Sequence, residues 1–285
     1  MPIEDANEIA VTGWSGDIDF FAFPEYQVFD ASVALSVLQG KLAGVIFRNC
    51  IDTTVCDAII EKFWAHPERQ RRSAEAPGFY IGALHWLTPM SDLMSKVTRA
   101  REALYSILDT PNEPTAEAIS KILAASDGTL KSARAAIHNG QPVCDWLIRA
   151  WEGEGSYSLN PHEDESQISW PGQAEFEISQ LTSHPVCALN MCLENTSGGD
   201  LHYWNIRPDQ QSKQRLGVQH SGIPYPLEAL TQYQRIVVPI RRGDLYLFNG
   251  GLLHAVTSKS GPADRRTTLS NLMSINENHE LIQWT

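Results

Sequence analysis

The patterning of the chain changes near residue 140, and this change limits the fold more than any other feature. Beyond it the apolar stretches are short, rich in β-branched and aromatic residues, and punctuated by turns such as Ser197-Gly198-Gly199-Asp200 and Arg242-Gly243-Asp244. Strands are expected at 143–151, 156–160, 185–193, 201–204, 235–239, 244–248, 252–256 and 267–275. Eight short strands at this spacing fit two packed antiparallel sheets, a sandwich or jelly roll. Before residue 140 the signals are helical, over 31–42, 55–65, 89–108 and 115–138. A short strand at 44–47 interrupts them, and the last helix should break near Gly128 and stop at Asn139-Gly140. The second helix has an N-cap in Asp52-Thr53-Thr54 and a one-sided stripe of Val55, Ile59, Ile60 and Phe63.

The expected fold class is therefore α+β and mainly β, one domain over 1–285. A helical region, 1–140, would back the sheet and shape a pocket, and 141–275 would form the core that carries the site. Charge narrows the partners. Lys and Arg number 22 against 34 Asp and Glu, a net charge of −12. A chain this acidic repels phosphate backbones, so no nucleic-acid partner is expected. The one short basic cluster, Arg69-Gln70-Arg71-Arg72, reads as a solvated loop. No apolar run approaches the roughly 18 residues that cross a bilayer, so no membrane partner is expected. The opening MPIEDANEIA lacks a basic, apolar leader. Five cysteines without a CxxC pair indicate neither a disulfide framework nor a zinc knuckle. These features give a cytoplasmic expectation, and a homodimer is the assembly to expect on frequency alone.

The chemistry centres on His162-Glu163-Asp164. In an extended segment, side chains two apart share a side, so His162 and Asp164 can bind one face of a divalent metal. A second His from a distant strand completes a 2-His-1-carboxylate triad, which leaves positions open and suits non-haem Fe(II) oxygenases. The spacing alone is weak, since His66-Pro67-Glu68 offers a related pattern at the end of an expected helix. His162 instead follows an expected strand. The distant partner is His254, on a late strand in Leu252-Leu253-His254-Ala255-Val256. Soon after it come Arg265 and Arg266. A guanidinium beside such a metal can hold the far carboxylate of a dicarboxylate co-substrate as a bidentate fork.

The order His-x-Asp, His, Arg on late short strands resembles the Fe(II)/2-oxoglutarate-dependent oxygenases. The likeness is carried by residues 146–164 (WLIRAWEGEGSYSLNPHED), 198–204 (GGDLHYW) and 243–273, and it covers about residues 141–275. Within that superfamily it is nearest the small bacterial carrier-independent hydroxylases and halogenases of indole alkaloids and of free or N-acyl amino acids. The resemblance implies a double-stranded β-helix with helices on its major sheet. It implies Fe(II), 2-oxoglutarate and O2 as cofactors and a small-molecule substrate that is hydroxylated while 2-oxoglutarate becomes succinate. His162, Asp164 and His254 would be the metal ligands, and Arg266 or Arg265 the 2-oxoglutarate arginine. If Arg266 faces inward, Thr268 and Ser270 do too, and Leu269 and Met273 pack under the helices; if Arg265 does, Leu269, Asn271 and Met273 line the barrel. Arg266 is preferred. The halogenases carry Gly or Ala where this chain has Asp164, so hydroxylation is the expected outcome, with desaturation, epimerisation or halogenation as alternatives. A cupin-type metal site or a non-catalytic jelly roll is the further alternative.

Other candidates are weaker. Asn190, mid-strand, is a candidate co-substrate contact. Arg149, Trp204, His202 and His85 are candidate substrate-pocket residues. His85-Trp86 and the polar stretch 210–226 are candidate lid segments. Arg69, Arg71, Arg72 and Arg149 are the cations available for a substrate carboxylate.

Overall fold

The computed structural model describes residues 9–72, 76–152, 155–261 and 263–285. In chain order its principal strands are β1 (Gly44–Phe47), β2 (Gly78–Ile81), β3 (Ser132–Ala135), β4 (Leu147–Trp151), β5 (Tyr157–His162) and β6 (Cys187–Asn195). They continue with β7 (Leu201–Trp204), β8 (Arg235–Val238), β9 (Leu245–Asn249), β10 (His254–Thr257), β11 (Arg266–Ile275) and β12 (Glu280–Trp284). The helices are α1 (Ala31–Leu38), α2 (Thr53–Ala65), α3 (Met90–Leu108) and α4 (Pro114–Ala125), with a short one at Gln210–Arg215.

Two sheets dominate. The larger has ten strands, and its central order is β1-β9-β6-β11-β4-β2, with β12 branching from β11 and β3 pairing with β12. The smaller runs β5-β10-β7-β8. From β4 onward the chain alternates between them: large, small, large, two small, large, small, large. The pairings among these eight strands are antiparallel.

Period-two alternation then divides the large sheet into two faces. Leu189 and Met191 of β6, Leu247 of β9 and Leu269 and Met273 of β11 join the core built with Val55, Ile59 and Phe63 of α2 and Leu104 and Ile107 of α3. Burying each such side chain contributes about 1.5–3 kcal/mol. The opposite face presents Ala188, Cys192, Tyr246 and Phe248 toward Leu201 and Tyr203 of the small sheet. The helices thus close one face of the large sheet and leave the other to form a chamber with the small sheet.

Two expectations about the first half need correction. The fourth helix ends at Ala125, and 132–135 is not helix but β3, paired in parallel with β12. The turn is built locally: Ser126 Oγ accepts from the Leu130 amide, and Gly128 adopts φ +80°. The strand itself depends on β12, far along the chain, and on Glu280, which pairs with Arg134 at 2.8 Å. The first half thus holds more strand than expected, since β2 and β3 join the expected β1 in extending the large sheet, and β12 carries that sheet past residue 275.

Candidate metal and co-substrate site

β5 and β10 pair so that His162 lies directly across from His254. The ring centroids are 4.0 Å apart. After β5 the backbone is pinned on both sides: the Glu163 amide donates to the Gly222 carbonyl (3.0 Å) and the Asp164 amide to the Gly250 carbonyl (2.7 Å). Asp164 is thereby brought to His254, with Oδ2 3.4 Å from Nε2. A Cβ at residue 250 would sit 2.6 Å from that Oδ2, so a glycine is required there for the carboxylate to fit. One ligand atom from each of His162, Asp164 and His254 lies within 4.8 Å of the others, and all three residues are buried.

The remaining polar atoms are spoken for. His162 Nδ1–H donates to the Asn160 carbonyl (2.8 Å) and His254 Nδ1–H to that of Leu252 (2.9 Å). Both hydrogen bonds leave Nε2 as the free donor atom for a metal. Gln167 donates from Nε2 to Asp164 Oδ1 (2.9 Å), which leaves Oδ2 toward the histidines. Burial, followed by the nearby His254, pushes the His162 imidazole down to about 3, so it is neutral at pH 7. Burial alone would raise Asp164, but His254 and His162 outweigh it and hold the carboxyl below its usual range. Two imidazoles and a carboxylate on one face are the donor set of a divalent-metal facial triad.

Arg266 opens β11 on the chamber face and is 3% exposed. Its Nη2–H donates to the Tyr246 hydroxyl at 2.9 Å. Its Nε and Nη1 are buried with no partner among the described residues. Unpaired buried donors on a cation are costly unless an anion meets them. Arg265 points the other way, exposed, with its guanidinium 5.0 Å from the Trp64 ring centroid. Ser270 shares the Arg266 face and lines the chamber beside Asn190, its register partner. Thr268 shares that face, with a buried and unpartnered Oγ1, but does not line the chamber.

One cavity holds the triad, Arg266, Asn190, Arg149 and His85. His202 and Trp204 are not in it, which corrects the expectation for both. β7 turns Leu201 and Tyr203 inward, so its alternate residues lie on the outer face. There His202 hydrogen-bonds the Tyr157 hydroxyl (2.9 Å) and Trp204 packs with Ile206, Val218 and Leu253. His85 is buried, donates from Nδ1 to Gln173 Oε1 (3.2 Å), and is pushed down to about 4 by burial. Trp86 Nε1–H donates to the Ser221 carbonyl (2.9 Å), joining the two segments singled out as candidate lids. Of the four arginines considered for a substrate carboxylate, Arg72 and Arg149 line the cavity. Arg69 bonds the Trp64 carbonyl, and Arg71 is exposed beside Glu152.

Sequence reasoning passed over Glu163, Tyr246 and Gln167. Glu163 is fully enclosed between the two ligands. Its carboxylate accepts from the amides of Glu165 (2.8 Å) and Ser166 (3.0 Å) and lies 3.3 Å from Lys213 Nζ. Burial raises its pKa, and Lys213 opposes that. Tyr246 was detectable, because it alternates with Phe248 on the face that Asn190 shares.

The chain is similar to proteins already known. An L-isoleucine 3(1)-dioxygenase of Pantoea ananatis (strain AJ13355) is 28% identical over 249 residues, covering 84% of this chain and 82% of that protein. The crystal structure of an N-substituted L-amino acid dioxygenase from Burkholderia ambifaria AMMD matches the fold with a TM-score of 0.56 at 14% identity, covering 90% of this chain and 91% of that one. The same enzyme in complex with α-ketoglutarate matches with a TM-score of 0.55 at 13% identity over the same shares. Residues 28–285 match the family described as carrier-protein-independent halogenase WelO5, and the chain belongs to that family.

Proposed function

We propose that the protein is an Fe(II)- and 2-oxoglutarate-dependent dioxygenase that hydroxylates an unactivated C–H bond of a small molecule, an amino acid derivative or a natural-product intermediate. The observation that carries this reading is a buried 2-His-1-carboxylate triad sharing one cavity with a buried arginine whose Nε and Nη1 have no partner among the described residues. The donor set fits Fe(II), and the orphaned guanidinium donors fit the far carboxylate of 2-oxoglutarate. Family membership and the dioxygenase relatives support it. The strand alternation supports a double-stranded β-helix, and the shared sheet supports one domain over 1–285. Five free cysteines support a cytoplasmic location. Among the described residues no helix is long and apolar enough to cross a membrane.

When bound, Fe(II) and 2-oxoglutarate would supply, with O2, the oxidative chemistry that places oxygen on the substrate, 2-oxoglutarate leaving as succinate and CO2. The protein's own part is positional. His162 and His254 offer Nε2, fixed by their Nδ1 hydrogen bonds, and Asp164 offers Oδ2, fixed by Gln167. Arg266 receives the co-substrate carboxylate, steadied by Tyr246 and by the Trp151 ring, whose centroid lies 5.3 Å from the guanidinium. Leu147, Ala188 and Val256 in the wall exclude water from the reacting centre. Asp164 would serve as a third metal ligand where a halide would otherwise be needed, which favours hydroxylation over the halogenation that gives the family its name.

The test is an anaerobic titration of purified protein with Fe(II) and then 2-oxoglutarate, read by the visible charge-transfer band of the chelate. The band is expected in the wild type, lost in His162→Ala, and formed only at much higher 2-oxoglutarate in Arg266→Ala. A folded, metal-loaded wild type without the band would overturn the reading and bring the cupin-type or non-catalytic alternative forward.

A further inference from the structure

We propose that Arg149 and Arg72 form a second anion subsite in the cavity and that it receives a carboxylate of the substrate. The proposal rests on the reading of Arg266 as the 2-oxoglutarate arginine. β4 turns Leu147, Arg149 and Trp151 to the cavity on alternate positions, and Arg149 stands directly across from Thr268, two residues from Arg266. Its guanidinium carbon lies 3.9 Å from the Trp151 ring centroid, on the same indole that the Arg266 guanidinium approaches. Arg72 enters the same cavity from the edge of the large sheet, where its amide bonds the Gly78 carbonyl at 2.9 Å. Among the described residues neither side chain has an ion pair, and Arg149 Nε and Arg72 Nη1 are buried without a hydrogen-bond partner.

Charge balance separates this subsite from the co-substrate site. Asp164 and a divalent metal leave one positive charge, and Arg266 adds another. The two charges of 2-oxoglutarate match these. Glu163, the other carboxylate in the cavity wall, is engaged by Lys213. Among the described residues Arg149 and Arg72 then remain as unmatched cations in a largely apolar chamber. Leaving them so is expensive, as burial and mutual repulsion with Arg72 and Arg266 depress Arg149 well below its ordinary pKa. A planar fork stacked on an indole is preorganised for a carboxylate. A neutral substrate would leave both arginines unpaired, so the subsite selects acids.

The test uses protein loaded anaerobically with Fe(II) and 2-oxoglutarate. L-Isoleucine, N-acetyl-L-isoleucine and indole-3-acetate are titrated calorimetrically, each beside its primary amide. At least one acid is expected to bind about 10- to 100-fold more tightly than its amide, the range for a charge-assisted hydrogen bond. Arg149→Gln and Arg72→Gln should each remove most of that preference while leaving 2-oxoglutarate affinity within about threefold, far less than a lost charge-assisted bond would change it. No acid outbinding its amide would overturn the proposal, and so would an Arg149→Gln that weakens 2-oxoglutarate as much as Arg266→Gln does. A wild type without the charge-transfer band would count against the proposed function alone. The acid-over-amide preference, measured on metal-free protein, then decides the subsite by itself.

Discussion

Gly199 adopts φ +70°, and a Cβ there would sit 2.2 Å from Arg266 Cδ and 2.7 Å from its Nε. Ordinary carbon contacts are about 3.5–4.0 Å, so in Gly199→Ala the arginine must retreat by more than about 1 Å. Among the described residues its side chain is held by a hydrogen bond to Tyr246 and by the Trp151 ring, neither of which blocks that retreat. Two losses follow. The left-handed backbone costs an alanine about 1 kcal/mol or more, which is about 2–4 °C in Tm for a chain of this size. The displaced guanidinium also loses a charge-assisted hydrogen bond to the co-substrate, about 1.5–3 kcal/mol, or roughly 10- to 150-fold in affinity. Gly217 isolates the first loss, because it has the same φ of +70° with nothing within 4 Å of the added Cβ. Anaerobic titration of the charge-transfer band gives the 2-oxoglutarate Kd, and thermal denaturation gives Tm. Both variants should lose similar stability, and only Gly199→Ala should lose affinity. Equal affinity in the two variants would refute the assignment of Arg266 and its packing against Gly199.

Gln167→Ala frees Asp164 Oδ1 and should weaken Fe(II) binding about 10- to 100-fold, as removal of a partner behind a metal ligand does elsewhere; competition against a chelator reads this directly. Phe63→Ala removes a fully buried ring of α2 and should cost about 3–5 kcal/mol in urea denaturation, without altering 2-oxoglutarate affinity once folded. Glu280 is held at about 2, against an ordinary 4.5, first by Arg134 and then by Asn276. Its folded pKa is depressed, so its contribution is fully present above about pH 4.5 and is lost as pH falls toward 2. The stability difference between wild type and Glu280→Gln should shrink across that window in urea midpoints, and a constant difference would contradict the linkage.

The sequence was most legible where one local rule fixed the geometry. His-x-Asp at the end of a strand places two ligands on one side whatever the surroundings, and the structure brings His254 to them. Alternation in β11 tied Arg266 to Thr268 and Ser270 and opposed it to Leu269 and Met273, which pack under the helices. The same rule failed for β7. Leu201-His202-Tyr203-Trp204 is apolar on both faces, because the segment around Ile206, Val218 and Leu230 covers the outer side. Alternation separated the two faces but could not say which one met the chamber, so His202 and Trp204 were misplaced. β3 was missed because its stability comes from pairing with β12 across a long sequence separation. Glu163 was passed over because its cation, Lys213, lies far along the chain.

The enclosed Glu163 also bears on how the substrate range can drift. Ser221 and Ile223 touch the cavity, and the same stretch supplies Lys213, the Gly222 carbonyl and Tyr225, whose amide donates to the Pro161 carbonyl at 2.8 Å. The part of the chain proposed to meet the substrate is thus riveted to the part proposed to grip the metal. Transplanting this stretch whole from a relative to gain a new selectivity would disturb iron affinity as well. Varying Ser221 and Ile223 while keeping Lys213, Gly222 and Tyr225 separates the two, and leaves a route by which selectivity can change without loss of the metal site.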